Sequence, residues 1–264
     1  MKNKLFRIGF LVVMLGSVGL LYGGKITKEF RKQYPFDPGG TVGVHNTNGN
    51  IYIESWDKDE VEIYAEIVVK AGNRKDAEEF MKRVVIEVDH DRDRLFVKPD
   101  YPKKHGGGFF DWLFGRRPQV SVTFRIRVPS VTNTEIRSTN GRVEIDDVEG
   151  KSELQTTNGG IYADNVKGAM DAHTVNGSIK VYLSKVSSHD RMHFKTINGS
   201  IKLSLPDDVQ ADIEASTVNG GISTDFPLEV RGKFNRKRIN GTINGGGVSI
   251  YLHTVNGGIS IYEE

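Results

Sequence analysis

Residues 173–181 read HTVNGSIKV, and close copies of this stretch recur along the chain. In most copies a threonine lies two positions before Asn-Gly, and an aliphatic residue lies two positions after the glycine. From Asn140 onward, the Asn-Gly pairs of successive copies are 18, 18, 22, 21, 21 and 16 residues apart. A self-similar period of about 20 residues is typical of a repeat architecture. The other copies are TNGN at 47–50, STNGRVEI at 138–145, TTNGGIYA at 156–163, KTINGSIKL at 195–203, STVNGGIST at 216–224, RINGTI at 238–243 and HTVNGGISI at 253–261.

The alternation of side chains indicates how each copy folds. Successive side chains of a strand point to opposite faces, so Thr174 shares a face with Ala172 and Asn176. The apolar series resumes after the glycine at Ile179, with the opposite parity. The phase therefore changes across Asn-Gly, as a corner or a turn requires. Glycine suits a turn because it tolerates positive φ, and asparagine can enter left-handed geometry.

Two folds fit this parity. In a β-meander, Asn-Gly would form a two-residue hairpin turn. In a parallel β-solenoid each copy would be one rung, and about 20 residues at roughly 3.3 Å each suffice to circle two sheets about 10 Å apart. A second recurring triad, at 148–150 and 166–168, falls midway between Asn-Gly pairs and fits an opposite corner. A meander gives no reason for such a triad, so the pattern favours the solenoid.

Stacked rungs predict three columns of like side chains: threonines facing inward, asparagines bonded along the corner, and isoleucines beyond it. Arg238 occupies the threonine position of its copy, so this rung is expected to bulge or to turn the arginine outward. The predicted columns are Thr156, Thr174, Thr196, Thr217 and Thr254; Asn158, Asn176, Asn198, Asn219, Asn240 and Asn256; and Ile161, Ile179, Ile201, Ile222, Ile243 and Ile259.

Repeated T-x-N-G-x-I-x-[IVL] blocks behind an export-type amino terminus resemble the bacterial "putative adhesin" family, a β-strand-repeat domain of unknown function. The resemblance covers roughly residues 40–264 and depends on repetition rather than on any single copy. It implies an all-β fold, a right-handed single-stranded parallel β-helix. It also implies an exported or surface-associated protein with no established enzymatic activity.

Residues 1–24 are predicted to be a signal peptide or an N-terminal membrane anchor. Lys2, Lys4 and Arg7 precede the uncharged, mostly apolar run IGFLVVMLGSVGLLY at 8–22. A basic segment before such a run is typical of a secretory signal, and the run is short for a span of about 20 apolar residues. Without a clear A-x-A cleavage pattern, both alternatives stay open. The expected location is the cell envelope, membrane-anchored, periplasmic or extracellular.

Residues 25–130 are predicted to form the first rung and an irregular strand–helix–strand cap, and residues 131–264 the regular repeats. A solenoid end exposes unpaired backbone groups, which proteins normally cover or charge. At the other end of the solenoid, Glu263 and Glu264 are the only charged residues expected to protect the exposed strand edge. A partner or a second copy is therefore expected to cap that end. The expected elements of the first part are a rung at 41–53, strands at 61–70, 84–88, 94–98 and 120–128, and a short helix near 74–83 opened by Asn73.

The segment at 101–118, YPKKHGGGFFDWLFGRRP, is the candidate binding loop. Aromatic side chains flanked by cations suit a loop that enters lipid headgroups or docks on another protein. The alternative is that the aromatics fold back over the end of the solenoid as part of the cap. The candidate residues are Phe109, Phe110, Trp112, Leu113, Phe114, Arg116 and Arg117.

Composition disfavours several classes of protein. Beyond residue 24 the chain carries 33 basic and 34 acidic groups, so no basic domain marks a nucleic-acid binder. The absence of cysteine removes disulfides, thiolate metal sites and cysteine nucleophiles. The Asp89–Asp93 turn matches the start of a calcium loop, but Arg94 replaces the required glycine. His173 and His253 are expected to face outward as isolated surface histidines. No metal site and no cofactor is therefore predicted.

The sequence favours a non-catalytic, exported β-solenoid that presents a binding or adhesive surface, with a glycan or a protein as its ligand. A β-helix enzyme needs clustered carboxylates on one face, and the outward positions show no paired acids at a fixed rung position. An envelope scaffold that assembles end to end, through contacts between copies at the C-terminal solenoid end, is the alternative. A carbohydrate-active enzyme is the weaker one. Membrane contact is expected through the N-terminus or the aromatic loop.

Overall fold

The computed structural model describes residues 24–101, 118–186, 191–230 and 236–264. Within these ranges the chain forms β-strands and a short helix, α1 (Arg74–Met81). The amino-terminal strands are β1 (Lys25–Pro35), β2 (Thr41–Asn48), β3 (Ile51–Trp56), β4 (Glu60–Lys70), β5 (Val85–His90), β6 (Arg94–Asp100) and β7 (Gln119–Pro129). The later strands are β8 (Asn133–Asn140), β9 (Val143–Asp146), β10 (Ser152–Asn158), β11 (Ile161–Lys167), β12 (Met170–Asn176), β13 (Ile179–Lys185), β14 (Arg191–Asn198), β15 (Ile201–Leu205), β16 (Ala211–Asn219), β17 (Ile222–Thr224), β18 (Glu229–Val230), β19 (Arg238–Ile243), β20 (Val248–Asn256) and β21 (Ile259–Glu263).

The strands form two sheets that face each other across one core. Sheet A has the order β1-β4-β7-β3-β9-β11-β13-β15-β21-β17, and sheet B has the order β18-β19-β16-β20-β14-β12-β10-β8-β2-β6-β5. Neighbouring rungs pair in parallel, so the prediction of an all-β, solenoid-like fold is confirmed and the meander is excluded. The sheets are mixed, however, because pairing is antiparallel at both ends. The antiparallel pair β5–β6 fits the irregular cap expected over residues 25–130. Antiparallel β19 contradicts the parallel repeats expected over residues 131–264.

Each rung places one strand in each sheet, and successive rungs stack in register. Thr156 lies beside Thr174, Asn158 beside Asn176, and Ile161 beside Ile179. The inward side chains of both sheets, such as Leu154, Phe194 and Val181, are buried and fill the space between the sheets. This packing follows from the alternation in the sequence, because every second residue of most rung strands is apolar, a threonine or a serine.

Glycine is required at the Asn-Gly corner because the rungs stack closely. A Cβ atom added to Gly159 would lie 2.0 Å from the carbonyl oxygen of Gly141, and Gly177 meets Gly159 in the same way. None of the stacked corner glycines from Gly141 onward has positive φ, so the expected reason for glycine is wrong here. At the opposite corner Gly150 has φ +143° and Gly168 has φ +106°. Positive φ therefore favours glycine at that second corner, and an added Cβ atom there would also lie 2.6–2.7 Å from a backbone carbonyl oxygen of the neighbouring rung.

Threonine and asparagine bond each corner to the preceding rung. The hydroxyl of Thr174 donates to the carbonyl of Gly159 at 2.8 Å, and the amide of Asn176 donates to the side-chain oxygen of Asn158 at 2.8 Å. The asparagine bonds link seven residues into one exposed ladder, whereas the threonines are buried. The three residue types of the motif thus act together at one contact between rungs. In spatial order the ladder is Asn48, Asn140, Asn158, Asn176, Asn198, Asn256 and Asn219.

The amino-terminal section covers the first rung, β2–β3. Strand β6 pairs with β2, and β7 pairs with β3. Helix α1 begins after Asn73, whose side chain accepts a hydrogen bond from the backbone of Asp76, and it packs near β1 and β4. Strand β1, which the sequence did not predict, forms the edge of sheet A. None of the helices in the described ranges is long and apolar enough to cross a bilayer.

The last copies of the motif do not stack in sequence order. The rung β20–β21 lies between β14–β15 and β16–β17. Glu263 therefore belongs to an interior strand that is flanked by β15 and β17, and the prediction that it guards the end of the solenoid is wrong. At that end β19 and β18 extend sheet B by antiparallel pairing beyond β16.

Candidate binding surface

The structure places most of the predicted column residues together. The threonines line the interior, the asparagines form the corner ladder, and the isoleucines pack behind it, with Ile222 half-buried at the last rung. Asn240 and Ile243 correct the prediction, because they lie in antiparallel β19 opposite Glu214 and Ala211. Arg238 explains the difference: it lies outside and donates to the Glu214 carboxylate at 3.1 Å, so this Asn-Gly continues a strand instead of turning a corner.

The predicted aromatic loop lies outside the described residues. This holds for Phe109, Phe110, Trp112, Leu113, Phe114, Arg116 and Arg117, and likewise for the predicted export segment at 1–23. Tyr101, the first residue of the segment at 101–118, is described. Burial raises the pKa of its phenol to about 12, and the hydroxyl has no hydrogen-bond partner among the described residues.

The outer face of sheet A carries a cluster that we call the tyrosine–lysine face: Tyr162, Lys180, Tyr182, Lys202 and Tyr262. The Lys180 ammonium lies 5.5 Å from the Tyr162 ring centre and 4.8 Å from that of Tyr182. The two rings are 6.0 Å apart, edge to face. A hydrogen bond with Tyr182 raises the pKa of Lys180, so this side chain is positively charged at neutral pH.

Except for Tyr162, these side chains line a shallow groove of about 360 Å³. Asp225, Glu263 and Glu264 supply carboxylates to the lining of the groove, whereas Ser204, which also lines it, is buried. Aromatic faces beside cations, hydroxyls and carboxylates can stack on a sugar ring and bond its hydroxyls, or hold a polar segment of a protein. The sequence contained a signal for this face, because each member lies three or five residues after a corner glycine.

The outer face of sheet B carries histidines instead. His193 lies 2.8 Å from the Asp171 carboxylate and stacks on Tyr251, with ring centres 5.0 Å apart and 10° between planes. His253 contacts the hydroxyl of Ser216 at 2.9 Å. Burial lowers the pKa of His173, which favours its neutral form. No group of three or more potential metal ligands occurs in the part of the chain that the structure describes.

Sequence reasoning missed a column of carboxylates on sheet A. Glu54, Asp146 and Asp164 stack on three successive rungs, although no paired acids were expected at a fixed rung position. Burial, and then the neighbouring charge of Asp164, raise the pKa of Asp146. Each carboxylate lies five positions after the preceding corner glycine, so aligning the copies on that glycine would have found the column.

A buried carboxylate also ties the unpredicted edge strand to the sheet. Glu62 of β4 accepts hydrogen bonds from Arg31 of β1 at 2.9 Å and from Arg127 of β7. Burial alone would raise the pKa of Glu62, but the hydrogen bonds from Arg127, Arg31 and Gln33 outweigh it and the pKa is lowered. The Arg127 guanidinium also lies 4.4 Å from the ring centre of Trp56. This network holds β1, β4, β7 and β3 together.

Comparisons with known proteins agree with this architecture. Residues 113–262 match the family model described as Toastrack DUF4097. A crystal structure of a "putative cell adhesion protein" from Clostridium sporogenes ATCC 15579 is 14% identical, with a TM-score of 0.50, and the match covers 90% of this chain and 100% of that one. This likeness concerns the fold. A comparison with curated proteins finds no match.

Two further solved structures are similar at lower scores. A "putative adhesin" from Bacteroides fragilis NCTC 9343 is 13% identical, with a TM-score of 0.43 and coverage of 90% of this chain and 97% of that one. A "putative lipid binding protein" from Parabacteroides distasonis ATCC 8503 is 15% identical, with a TM-score of 0.35 and coverage of 92% and 98%.

Proposed function

This chain belongs to the Toastrack DUF4097 family, and from that premise we propose that it is a non-catalytic, exported protein whose solenoid presents a binding or adhesive surface at the bacterial cell envelope. The tyrosine–lysine face is the binding surface in this proposal, and a surface glycan is the favoured ligand. The coil is right-handed in this proposal, as the resemblance to adhesin-type β-helices implies.

The observation that supports the proposal is the in-register stacking of the rungs. Because like positions align, Tyr182, Ser204 and Tyr262 lie on three neighbouring strands of one face. Strand neighbours are about 4.8 Å apart, so Tyr182 and Tyr262 lie about 10 Å apart on either side of the buried Ser204 and can both contact an extended ligand. The side chains between the sheets are packed, which leaves the outer faces as the natural place for a ligand.

A matched pair of substitutions tests this surface. Tyr262 and Tyr251 are 37% and 38% exposed, but they lie on opposite sheets. The purified chain and its Tyr262→Ser and Tyr251→Ser variants are applied to an array of bacterial surface polysaccharides and to insoluble peptidoglycan. We expect Tyr262→Ser to bind about tenfold more weakly, a loss of about 1.4 kcal/mol, and Tyr251→Ser to bind like the wild type.

Two results would count against this proposal. Equal binding by both variants would show that the tyrosine–lysine face is not the binding surface. Failure of the wild type to bind any polysaccharide, together with capture of a protein by the same face, would replace the glycan with a protein ligand.

Export and anchoring complete the proposal. The basic residues Lys2, Lys4 and Arg7 ahead of an apolar run support it. The mass of the chain recovered from cell fractions locates its mature amino terminus and separates a cleaved signal from a retained anchor. A full-length chain found in the cytosol would contradict export.

Membrane contact through the aromatic loop is part of the same proposal. Trp112 and its aromatic neighbours suit the interface of a bilayer. We expect a chain without its first 24 residues to sediment with anionic phospholipid vesicles, and Trp112→Ser to sediment less. Equal sedimentation of both chains would show that Trp112 of the aromatic loop does not contact the membrane.

The carboxylate column makes a direct test of catalysis worthwhile. Two carboxyl groups on one face are the minimum for acid–base hydrolysis of a glycan, and Asp146 and Asp164 are neighbours across β9 and β11. In a polysaccharide-degradation screen we expect no products from the wild type. Products that disappear in Asp146→Asn would overturn the non-catalytic assignment.

A further inference from the structure

The Asn-Gly pairs of the motif carry a chemical liability as well as a corner. Asparagine is a thermolabile residue, because the backbone nitrogen of the following residue can attack its side-chain carbonyl carbon. Glycine obstructs this attack least, since it has no side chain. The attack needs a nitrogen whose N–H is not held in a hydrogen bond and an amide side chain that can turn towards it. The contacts of each pair therefore decide whether it reacts.

The interior pairs of the asparagine ladder are held at both groups. The N–H of Gly177 donates to the backbone carbonyl of Asn198 at 3.0 Å. The side chain of Asn176 donates to that of Asn158 and accepts from that of Asn198, each at 2.8 Å. Attack by the Gly177 nitrogen would need all of these bonds to break. The same backbone bond to the next rung is made by the corner glycines Gly49, Gly141, Gly159, Gly199 and Gly257.

The last rung has no further rung to bond. Strand β17 is the edge of sheet A, and the N–H of Gly220, at the corner that leads into β17, has no hydrogen-bond partner among the described residues. Asn219 keeps one side-chain bond, a donation to Asn256 at 2.8 Å. Gly220 is also exposed, whereas the corner glycines of the other ladder rungs are half-buried. Within the described part of the ladder, Asn219-Gly220 is thus the pair whose reacting groups are least restrained.

Two further Asn-Gly pairs lie outside the ladder. Gly241 is buried inside β19, which is paired with β16 on one side and β18 on the other, so its nitrogen is held within the sheet. Gly245 is exposed in a turn, and its N–H also has no partner among the described residues. The side chain of Asn244, however, donates to two backbone carbonyls of the connection at 206–210, both at 3.0 Å. Asn244 is therefore expected to react more slowly than Asn219.

We propose that Asn219 is a modification site of the folded chain, where spontaneous deamidation occurs. The Gly220 nitrogen gives its proton to hydroxide and bonds to the side-chain carbonyl carbon of Asn219. The C–N bond of the side-chain amide breaks, and ammonia leaves with a proton from water. Water then adds to either carbonyl of the cyclic imide and breaks its C–N bond, giving aspartate or isoaspartate. Water is the only co-reactant, and no atom changes oxidation state. This inference does not depend on ligand binding by the tyrosine–lysine face.

The modification weakens the corner of the last rung. Aspartate is ionised at neutral pH and cannot donate, so it would face the side-chain oxygen of Asn256, whose amide nitrogen is bonded to Asn198. Isoaspartate adds a backbone carbon where a Cβ atom on Gly220 would already lie 2.0 Å from the carbonyl oxygen of Gly257. The hydroxyl of Thr217 still donates to that oxygen, and β16 still pairs with β20. The change therefore loosens one corner and leaves the rest of the solenoid folded.

Peptide mapping by mass spectrometry follows every Asn-Gly pair in one sample. The purified full chain is incubated in mildly alkaline buffer and digested at intervals, and the conversion of each asparagine is measured. We expect Asn219 to convert several-fold faster than Asn176 and the other ladder asparagines, and faster than Asn244. In concentrated urea, where no fold holds the pairs, their rates should become similar.

A pair of variants and an exchange measurement test the cause. Asn256→Ala removes the bond that holds the Asn219 side chain and should speed its conversion, whereas Asn140→Ala, near the other end of the ladder, should leave the rate unchanged. Amide hydrogen exchange tests the backbone directly. The Gly220 N–H should exchange without protection, and the Gly177 N–H should be protected.

Three results would overturn the proposal. Equal conversion of Asn219 and Asn176 in the folded chain would show that the ladder bonds do not protect asparagine. Faster conversion of Asn244 than of Asn219 would show that bonds to the side chain do not decide the rate. A protected Gly220 N–H would show that its nitrogen is not free to attack. None of these results depends on polysaccharide binding, so failure of the binding proposal remains separable.

Discussion

Replacing a corner glycine by alanine is the most direct test of how the rungs stack. In Gly177→Ala the new Cβ atom would lie 2.0 Å from the carbonyl oxygen of Gly159, whereas real Cβ atoms essentially never approach closer than 3.0 Å. The obstacle is backbone on both sides, so no side-chain rotation relieves it. The two rungs must move apart at this corner by about 1 Å or more, which is enough to break their hydrogen bonds.

The size of the effect follows from the bonds that cross this contact. Thr174 donates to Gly159, Asn176 donates to Asn158, and the Gly159 amide donates to the backbone carbonyl of Asn176. Each such bond contributes about 1 kcal/mol net, so the loss of three lowers the free energy of unfolding by about 3 kcal/mol. For a chain of this size that corresponds to a fall in Tm of roughly 10 °C.

The assay is thermal and urea unfolding followed by circular dichroism, with Gly221→Ala as the matched control. Gly221 also follows an Asn-Gly corner position, but a Cβ atom there meets nothing within 4 Å and its φ is not positive. We expect Gly221→Ala to change the stability by less than about 0.5 kcal/mol. If Gly177→Ala were equally mild, the close stacking of glycines could not be what selects this residue.

Three further substitutions have smaller or pH-dependent effects. Asn176→Ala removes one ladder bond on each side and should cost about 1 to 2 kcal/mol in urea unfolding; no change in midpoint would show that the exposed ladder is energetically neutral. Glu62→Gln should destabilise the chain at neutral pH by leaving Arg127 and Arg31 without their carboxylate. The folded pKa of Glu62 is lowered, so the stability that its carboxylate contributes is present above the unfolded pKa and is lost as pH falls through the folded pKa. The difference in Tm between Glu62→Gln and the wild type should therefore become smaller at acidic pH, below about 4. Asp146 has a raised pKa, so the cost of its charge appears as pH rises through the folded value. Asp146→Asn should therefore raise the free energy of unfolding by under about 1 kcal/mol at neutral pH, and not at acidic pH. A lower free energy of unfolding for this variant at neutral pH would contradict repulsion in the carboxylate column.

The motif predicted the cross-section of the solenoid but not the order of its rungs. Side-chain parity around Thr174, Asn176 and Ile179 defines the interior, the corner and the change of sheet within one copy. Every copy carries the same three columns, so any stacking order satisfies them equally. The order is set by the connections at 206–210 and 244–247 and by antiparallel β19, where Arg238 replaces threonine. Periodicity alone therefore could not place the last rung.

The edge strand was missed for a different physical reason. Strand β1, KITKEFRKQYP, offers only Ile26, Phe30 and Tyr34 to the core, at every fourth position and with charges between them. Such spacing does not resemble a half-buried strand, which alternates at every second position. Its attachment depends instead on the carboxylate of Glu62, 31 residues beyond Arg31. Long-range ion pairs of this kind leave no periodic trace in a sequence.

The chemical character of the outer face of sheet A changes along the solenoid, because side chains at like positions of the motif stack in columns. The position five residues after the corner glycine is acidic in the early rungs, at Glu54, Asp146 and Asp164. On the next strands of sheet A the same position holds Tyr182, Ser204 and Tyr262. An acidic ligand would be repelled by the first half of this row, whereas the second half offers the ammonium groups of Lys180 and Lys202 beside it. If the proposed ligand is acidic, we therefore expect it to bind at the C-terminal half of the row, where the rung β20–β21 supplies Tyr262.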